Sequence, residues 1–220
     1  VISAAVYFCI AFPIAFLIKE SPLREVARNN PAVEVRDFPL SEREVIIWIS
    51  MAIIFCCNCM AVPIVHLVPL LTDNGRTLDE ATSVLTLLMF SGAFGRIVGG
   101  KLGDTIGALP GYILMSAGQT VSVLWFPYFH SDISLYLLAI VFGFTYSGVM
   151  SSILVCTRTM VSARYSGRAM SITSFFGWIG MGTGGVVGGL LFDATGNYDW
   201  SFGFAAGVGV INLIILGLFF

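Results

Sequence analysis

The stretch GRIVGGKLGDTIG, residues 95–107, decides how this chain is read. It sets Arg96, Lys101 and Asp104 into an apolar region. Residues 84–95 carry no charge, and after Asp104 the next charged residue is Asp132. A near copy, GGLLFDATG, occupies residues 188–196. Both fit the pattern G-G-x-L-x-D-x-x-G, and their aspartates, Asp104 and Asp193, stand 89 positions apart (193 − 104).

Composition says which solvent surrounds these motifs. A soluble domain carries roughly 25% charged residues. This chain has 11%, with 57% hydrophobic residues and a mean hydropathy of +0.90. A water-soluble fold of this size could not hide that much apolar surface, so an all-α polytopic membrane protein is expected, with a lipid bilayer as its surroundings. The net charge of −2 says little, because in a membrane the placement of charge matters more than its sum. Nucleic acid is not an expected partner.

A membrane-spanning helix needs about 20 mostly apolar residues. With charges and Pro/Gly/Asn clusters as breaks, seven such segments are predicted: 1–18, 45–71, 81–103, 108–128, 133–157, 168–192 and 199–220. The first has no basic flank before it and exceeds the roughly 7–15 apolar residues of a signal peptide, so it reads as a true span. Residues 20–44, ESPLREVARNNPAVEVRDFPLSERE, are the one long polar stretch and are expected to be an extramembrane linker.

Basic residues give the orientation. Lys19, Arg24, Arg28, Arg36, Arg43, Lys101, Arg158, Arg164 and Arg168 fall on one side of the alternating spans and Arg76 on the other, leaving Arg96 aside. The side rich in Lys and Arg is cytoplasmic, which places the C-terminus in the cytoplasm too. A plasma membrane or a bacterial inner membrane is expected. The two G-G-x-L-x-D-x-x-G motifs end the third and sixth segments, an odd number of spans apart, hence on opposite faces. Two triplets in opposite orientation mark an inverted repeat, a device typical of secondary transporters.

Gly100 to Gly107, GKLGDTIG, resembles the G-x-L-x-D-x-x-G signature of the major facilitator superfamily. The pairing of GRIVGG with GGLLFDATGNYDWSF is similar to the monocarboxylate-transporter and oxalate/formate-antiporter branches. The resemblance implies that residues 45–220 are the C-terminal six-helix half of a major facilitator bundle, built as a 3+3 inverted repeat. Residues 1–19 would hold the last helix of an N-terminal half that this chain otherwise lacks, and 20–44 the cytoplasmic linker between halves. That N-terminal half is then an expected partner. Two departures bear on chemistry. Monocarboxylate transporters commonly carry an aspartate four residues before this arginine, where Gly92 stands here, so proton coupling through this half is in question. Oxalate-type members carry a lysine in the sixth segment, and residues 169–192 have none, which argues against a dicarboxylate.

Among single residues, Arg96 comes first. It lies eight residues inside Asp104, or ~12 Å at 1.5 Å per residue, too deep to snorkel easily. A guanidinium keeps its proton and grips a carboxylate through two parallel hydrogen bonds. A charge within a span faces a cavity or a partner. Arg96 is therefore the expected anchor of a small organic anion, with a structural arginine near a cytoplasmic gate as the alternative. Asn58, Tyr146 and Ser147 are candidate polar groups of the same cavity, because polar atoms in hydrocarbon need partners. His66 is a candidate substrate or proton group, since its reference pKa of about 6.5 lies near neutrality. A co-transported proton is a candidate partner on that ground. Phe175, Phe176 and Trp178 are candidate apolar walls. In related proteins the signature aspartate pairs with a cytoplasmic arginine and latches one conformation; Asp104 with Arg158 is the match, and Arg168 the substitute.

Other chemistries find little support. Cys56, Cys57 and Cys59 share one helical turn without CxxC spacing or a second ligand pair, so neither a metal site nor another cofactor is expected. There is no HExxH and no GxSxG, and with two histidines an enzyme is not expected. No ring of charges recurs as a channel would need. The expectation is secondary transport by alternating access, of a monocarboxylate first and of another small solute second; a non-transporting membrane scaffold or regulatory module is the competing class. Glycines spaced four apart (Gly95, Gly99, Gly103; Gly180, Gly184, Gly188; Gly203, Gly207) predict close helix packing.

Overall fold

In a computed structural model the protein is described over residues 40–219, together with Pro13. Apart from Pro13, the expected first helix lies outside the described residues, as do residues 20–39 of the linker. Six α-helices follow: α1 (Glu42–Asp73), α2 (Leu78–Ile106), α3 (Ala108–Val123), α4 (Asp132–Thr159), α5 (Ala163–Thr195) and α6 (Asp199–Phe219). No strand occurs among the described residues. All but α3 are long and apolar enough to cross a bilayer, as a multi-pass integral membrane protein requires.

Local chemistry moves several boundaries. The α1 helix starts three residues before the expected 45 because Ser41 and Glu44 form a capping box. Glu44 N–H donates to Ser41 Oγ at 3.3 Å, and Ser41 N–H to Glu44 Oε2 at 2.8 Å. Thr77 and Glu80 do the same for α2. The expected span 108–128 is shorter. Its α-helix stops at Val123, and a 3₁₀ turn, Phe126–Tyr128, takes over. Pro127 has no N–H to offer the carbonyl four residues back, which weakens the α-helical ladder there, although α1 runs on through Pro63 and Pro69. The α5 helix ends on Gly196, whose φ of 73° suits a glycine and whose N–H returns to Phe192 O at 2.7 Å.

The most extensive packing joins α2 to α4 and α1 to α5. Next come α3 with α4 and α1 with α6, while α3 and α6 touch each other. Exchanging α1, α2, α3 for α4, α5, α6 leaves this scheme unchanged, which is the inverted repeat in three dimensions. Short connections alternate the helix directions, so the turns that follow Asp104 and Asp193 lie at opposite ends of the bundle.

Glycine makes the two main crossings possible. A Cβ on Gly95 would sit 2.0 Å from Phe144 O, and one on Gly99 2.5 Å from Gly148 O. On the other crossing, a Cβ on Gly180 would sit 2.5 Å from Ile54 O and one on Gly184 2.7 Å from Asn58 O. Real Cβ atoms do not come so close, so these backbones touch only because side chains are missing. The third expected stripe differs: Gly203 and Gly207 face open space.

Burial ranks the helices. In the most apolar window of α1, 67% of residues are buried, against 22% in α5, so α1 is a central pillar and α5 a rim. Behind the pillar, Tyr112 O–H donates to Asn212 Oδ1 at 3.2 Å and Asn212 Nδ2 to Ser116 Oγ at 2.6 Å, pinning α3 to α6. Both ends of the bundle carry a tie between helices of different triplets. Arg76, before α2, pairs with Asp132 in the first turn of α4 and donates to His130 O at 2.6 Å. At the opposite end, Glu42 in the first turn of α1 accepts from the hydroxyl and backbone N–H of Ser162, the N-cap of α5.

Candidate functional site

Arg96 sits where α2 leaves α4. Gly92 and Gly95, four residues and one residue before it in the helix, let α4 approach, and Ser147 lies against Gly92. A Cβ on Gly92 would meet Ser147 Cβ at 3.1 Å and Oγ at 3.2 Å. The same Ser147 hydroxyl accepts a hydrogen bond from Arg96 Nε at 3.1 Å. Ser147 is buried, with 2% of its surface exposed, whereas Arg96 opens outward. The arrangement is economical: Nε is held by the protein, which aims the guanidinium. Its two terminal nitrogens have no partner among the described residues. Those nitrogens are half of the fork that a carboxylate would fill.

Arg96 lines a recess of about 240 Å³ between α1, α4 and α5. Ile53 and Cys57 line it from α1, and Met150, Ile153 and Leu154 from α4. The α5 wall is Thr173, Ser174, Gly177, Trp178 and Met181. Each wall is one helix stripe, with members three or four residues apart. The walls are mostly apolar. Thr173 already donates to Ala169 O at 3.0 Å, which leaves the Ser174 hydroxyl as the polar group able to turn inward. Arg96 is the single charged residue of the lining.

The structure brings Arg96 and Ser147 together and disperses the other candidates. Asn58 is 6% exposed and pins α1 to α5: its Nδ2 donates to Ile54 O at 2.9 Å, and its Oδ1 accepts from Thr183 Oγ1 at 3.3 Å. His66 lies further along the same seam, with Nε2 2.8 Å from Gly185 O. A carbonyl only accepts, so Nε2 carries the proton. Tyr146 turns to α2, with its hydroxyl 3.4 Å from Met89 Sδ and its ring stacked on Phe142. Trp178 lines the recess, while Phe175 and Phe176 do not. Asp104, Arg158 and Arg168 are all exposed, and the structure joins none of them in an ion pair with another described residue. No cluster of metal-ligating side chains occurs among the described residues.

A second, polar recess of about 500 Å³ lies at the other end of α1, lined among others by Asp73, Asn197, Tyr198 and Asp199. Burial, with the nearby carboxylates of Asp73 and Asp193, raises the Tyr198 phenol above its usual range. Its ring stacks on Phe192 at 4.3 Å and tilts toward His66 at 5.9 Å. His66 therefore belongs with this end of the molecule.

Sequence reasoning missed most of the apolar lining. Its signal was present, as stripes at Ile53/Cys57, Met150/Ile153/Leu154 and Thr173/Gly177/Met181, but such stripes are ordinary in every span.

Two comparisons with known proteins agree with this geometry. The chain is similar to monocarboxylate transporter 13 of Rattus norvegicus, 33% identical over 169 residues, which cover 72% of this chain and 38% of that protein. It thus spans well under half the length of that relative. The family model of the Major Facilitator Superfamily matches residues 2–220. Six helices related as two inverted triplets and a signature turn after the second helix complete the case: the chain belongs to the major facilitator superfamily.

Proposed function

We propose that this chain is the C-terminal half of a secondary carrier that moves a small organic anion, a monocarboxylate, across a membrane by alternating access. The observation that carries this reading is the half-held guanidinium of Arg96: Nε bonded to Ser147, two outer nitrogens without a partner among the described residues, and the residue itself lining an apolar recess. A permanent charge kept inside an apolar helix is costly unless it faces a cavity or partner. An anion supplies the missing bonds and is released when the site rehydrates. The name of the rat relative, a monocarboxylate transporter, fits the same chemistry.

Alternating access needs two bundles that rock around a site between them. The outward-facing side chains of α2 and α5, such as Phe94, Ile97, Phe175 and Val186, suit the seam with an N-terminal half. The basic side is cytoplasmic, and Asp104 with Arg158 forms the latch when the carrier closes there. A proton is a candidate co-substrate. Gly92 offers no carboxylate beside Arg96, so its acceptor belongs elsewhere; His66, with Nδ1 open, is one such group.

The test is equilibrium binding to the purified full-length protein. Arg96→Ala should insert normally yet lose carboxylate binding. Binding rather than uptake is decisive, because a broken gate also stops uptake. Undiminished binding of a monocarboxylate to Arg96→Ala overturns the assignment.

A further inference from the structure

We infer that the anion held at Arg96 carries a single carboxylate on an apolar body of several carbons or one aromatic ring, and that this body lies in the recess between α1, α4 and α5. The inference rests on the reading of Arg96 as the carboxylate anchor and adds what the rest of the substrate must be.

Three observations carry it. First, beyond the guanidinium the recess offers almost nothing polar. Met150 and Ile153 face it from α4, Trp178 and Met181 from α5. A second carboxylate, or a chain of hydroxyls, would lose its water against these side chains and gain one serine hydroxyl, Ser174, in exchange. Uncompensated burial of a charge or of several polar groups is strongly unfavourable. The remaining cations of the described helices do not help. Arg43, Lys101, Arg158, Arg164 and Arg168 stand near helix ends, at least five residues along α2 or on other helices, and none of them lines the recess.

Second, the size fits. The recess holds about 240 Å³, and a dry apolar cavity of about 150 Å³ accommodates a benzene ring. A phenyl ring with a short spacer, or a linear chain of about six carbons, fills the space; a one- or two-carbon acid leaves most of it empty.

Third, no carboxylate, lysine or histidine lines the recess. Besides the Ser147 hydroxyl that Arg96 Nε bonds, the polar groups that line the recess with it are the Cys57 thiol on α1 and the hydroxyls of Thr173 and Ser174 on α5. A fixed charge among neutral groups recognises one anionic head, and the apolar wall then decides which anion stays.

The experiment is a binding series on the purified full-length protein in nanodiscs: acetate, butyrate, hexanoate, 3-phenylpropanoate and succinate, with hexanol as the uncharged control. Affinity should rise about fourfold for each added methylene from acetate to hexanoate, the gain of burying one CH₂. 3-Phenylpropanoate should bind at least as tightly as butyrate, and succinate and hexanol should fail to compete. Trp178→Ala, at a position 76% exposed among the described helices, should lower 3-phenylpropanoate affinity several-fold and leave acetate unchanged, the unchanged acetate affinity showing that the variant is folded. Met181→Ser should flatten the chain-length series.

Equal affinity for acetate and hexanoate, or succinate competing as well as butyrate, overturns the inference while Arg96→Ala still abolishes binding. If Arg96→Ala instead keeps hexanoate at wild-type affinity, the anchor itself is wrong and the inference falls with it. The two failures are read from different variants.

Discussion

The crossing of α2 on α4 and the crossing of α5 on α1 are two versions of one joint. Each is built on glycines four residues apart, and Gly95 and Gly99 correspond to Gly184 and Gly188 through the same 89-residue offset that relates the two aspartates. In both, the partner backbone comes nearer than any side chain would permit. The next position separates them. After Gly95 stands Arg96; after Gly184 stands Gly185, whose carbonyl accepts a hydrogen bond from His66 Nε2. What the two triplets share is scaffold, and where they differ the chemistry begins.

That comparison is open to attack at four points. The largest effect should come from the joint itself. Gly95→Ala sets a methyl 2.0 Å from a backbone oxygen that cannot swing aside, so helices must part at a cost of about 1–3 kcal/mol or more. Folded yield and Tm of the purified protein should fall sharply, while Gly207→Ala, in open space, leaves both unchanged. If the two variants behave alike, close packing is not what holds the crossing.

The second point is the broken symmetry. Arg96→Lys keeps the charge and loses the fork, which should weaken carboxylate binding by roughly 1–3 kcal/mol. Gly185→Ala, at the matching position of the other joint, meets only Val65 at 3.4 Å and should bind as wild type. Calorimetric titration of both variants checks the contrast.

A smaller effect belongs to Ser147. Its alanine variant removes the acceptor for Arg96 Nε; a hydrogen bond to a charged group contributes about 1.5–3 kcal/mol, of which anion binding should feel only the part that aims the guanidinium. Affinity should drop by roughly tenfold at most, with little change in Tm, and most of the loss should lie in the dissociation rate as the arginine wanders. A fall in Tm without a fall in affinity would make Ser147 a packing residue.

The smallest effect concerns the end ties. Arg76 is largely covered, at 19% exposed, but its partner Asp132 is 71% exposed and stays in contact with water, and an ion pair so screened contributes at most about 1 kcal/mol. Arg76→Ala should lower Tm by a few degrees at low salt and less at high salt. An equal loss at both salt levels would mean that the hydrogen bond to His130 O, and not the ion pair, is the working part of the tie.

Much of the fold was legible because lipid imposes simple rules. Long apolar runs had to be helices, and the parity of the repeated motif predicted opposite ends. The shifts came from local chemistry: the Ser41–Glu44 box lengthened α1, and Pro127 weakened the ladder where α3 stops short. For the site, Arg96 was legible as a lone charge in an apolar run. Asn58, His66 and Tyr146 were noticed for a sound reason, since polar atoms in hydrocarbon need partners. Which partner they find depends on how each helix is rotated about its axis. A sequence without a strong amphipathic pattern leaves that rotation open, and all three turned toward a neighbouring helix.

The swapped pairing of the triplets has a consequence for biosynthesis. The α1 helix packs chiefly on α5, and about 90 residues of chain separate the end of one from the start of the other. When α1 leaves the ribosome, its mate has not been translated. Neither triplet holds its own main joint, so no three-helix intermediate can close. The pillar must wait in lipid, or beside the insertion machinery, until the fifth helix arrives, and a ribosome halted after α4 would leave a half-built bundle whose oldest helix has no main partner.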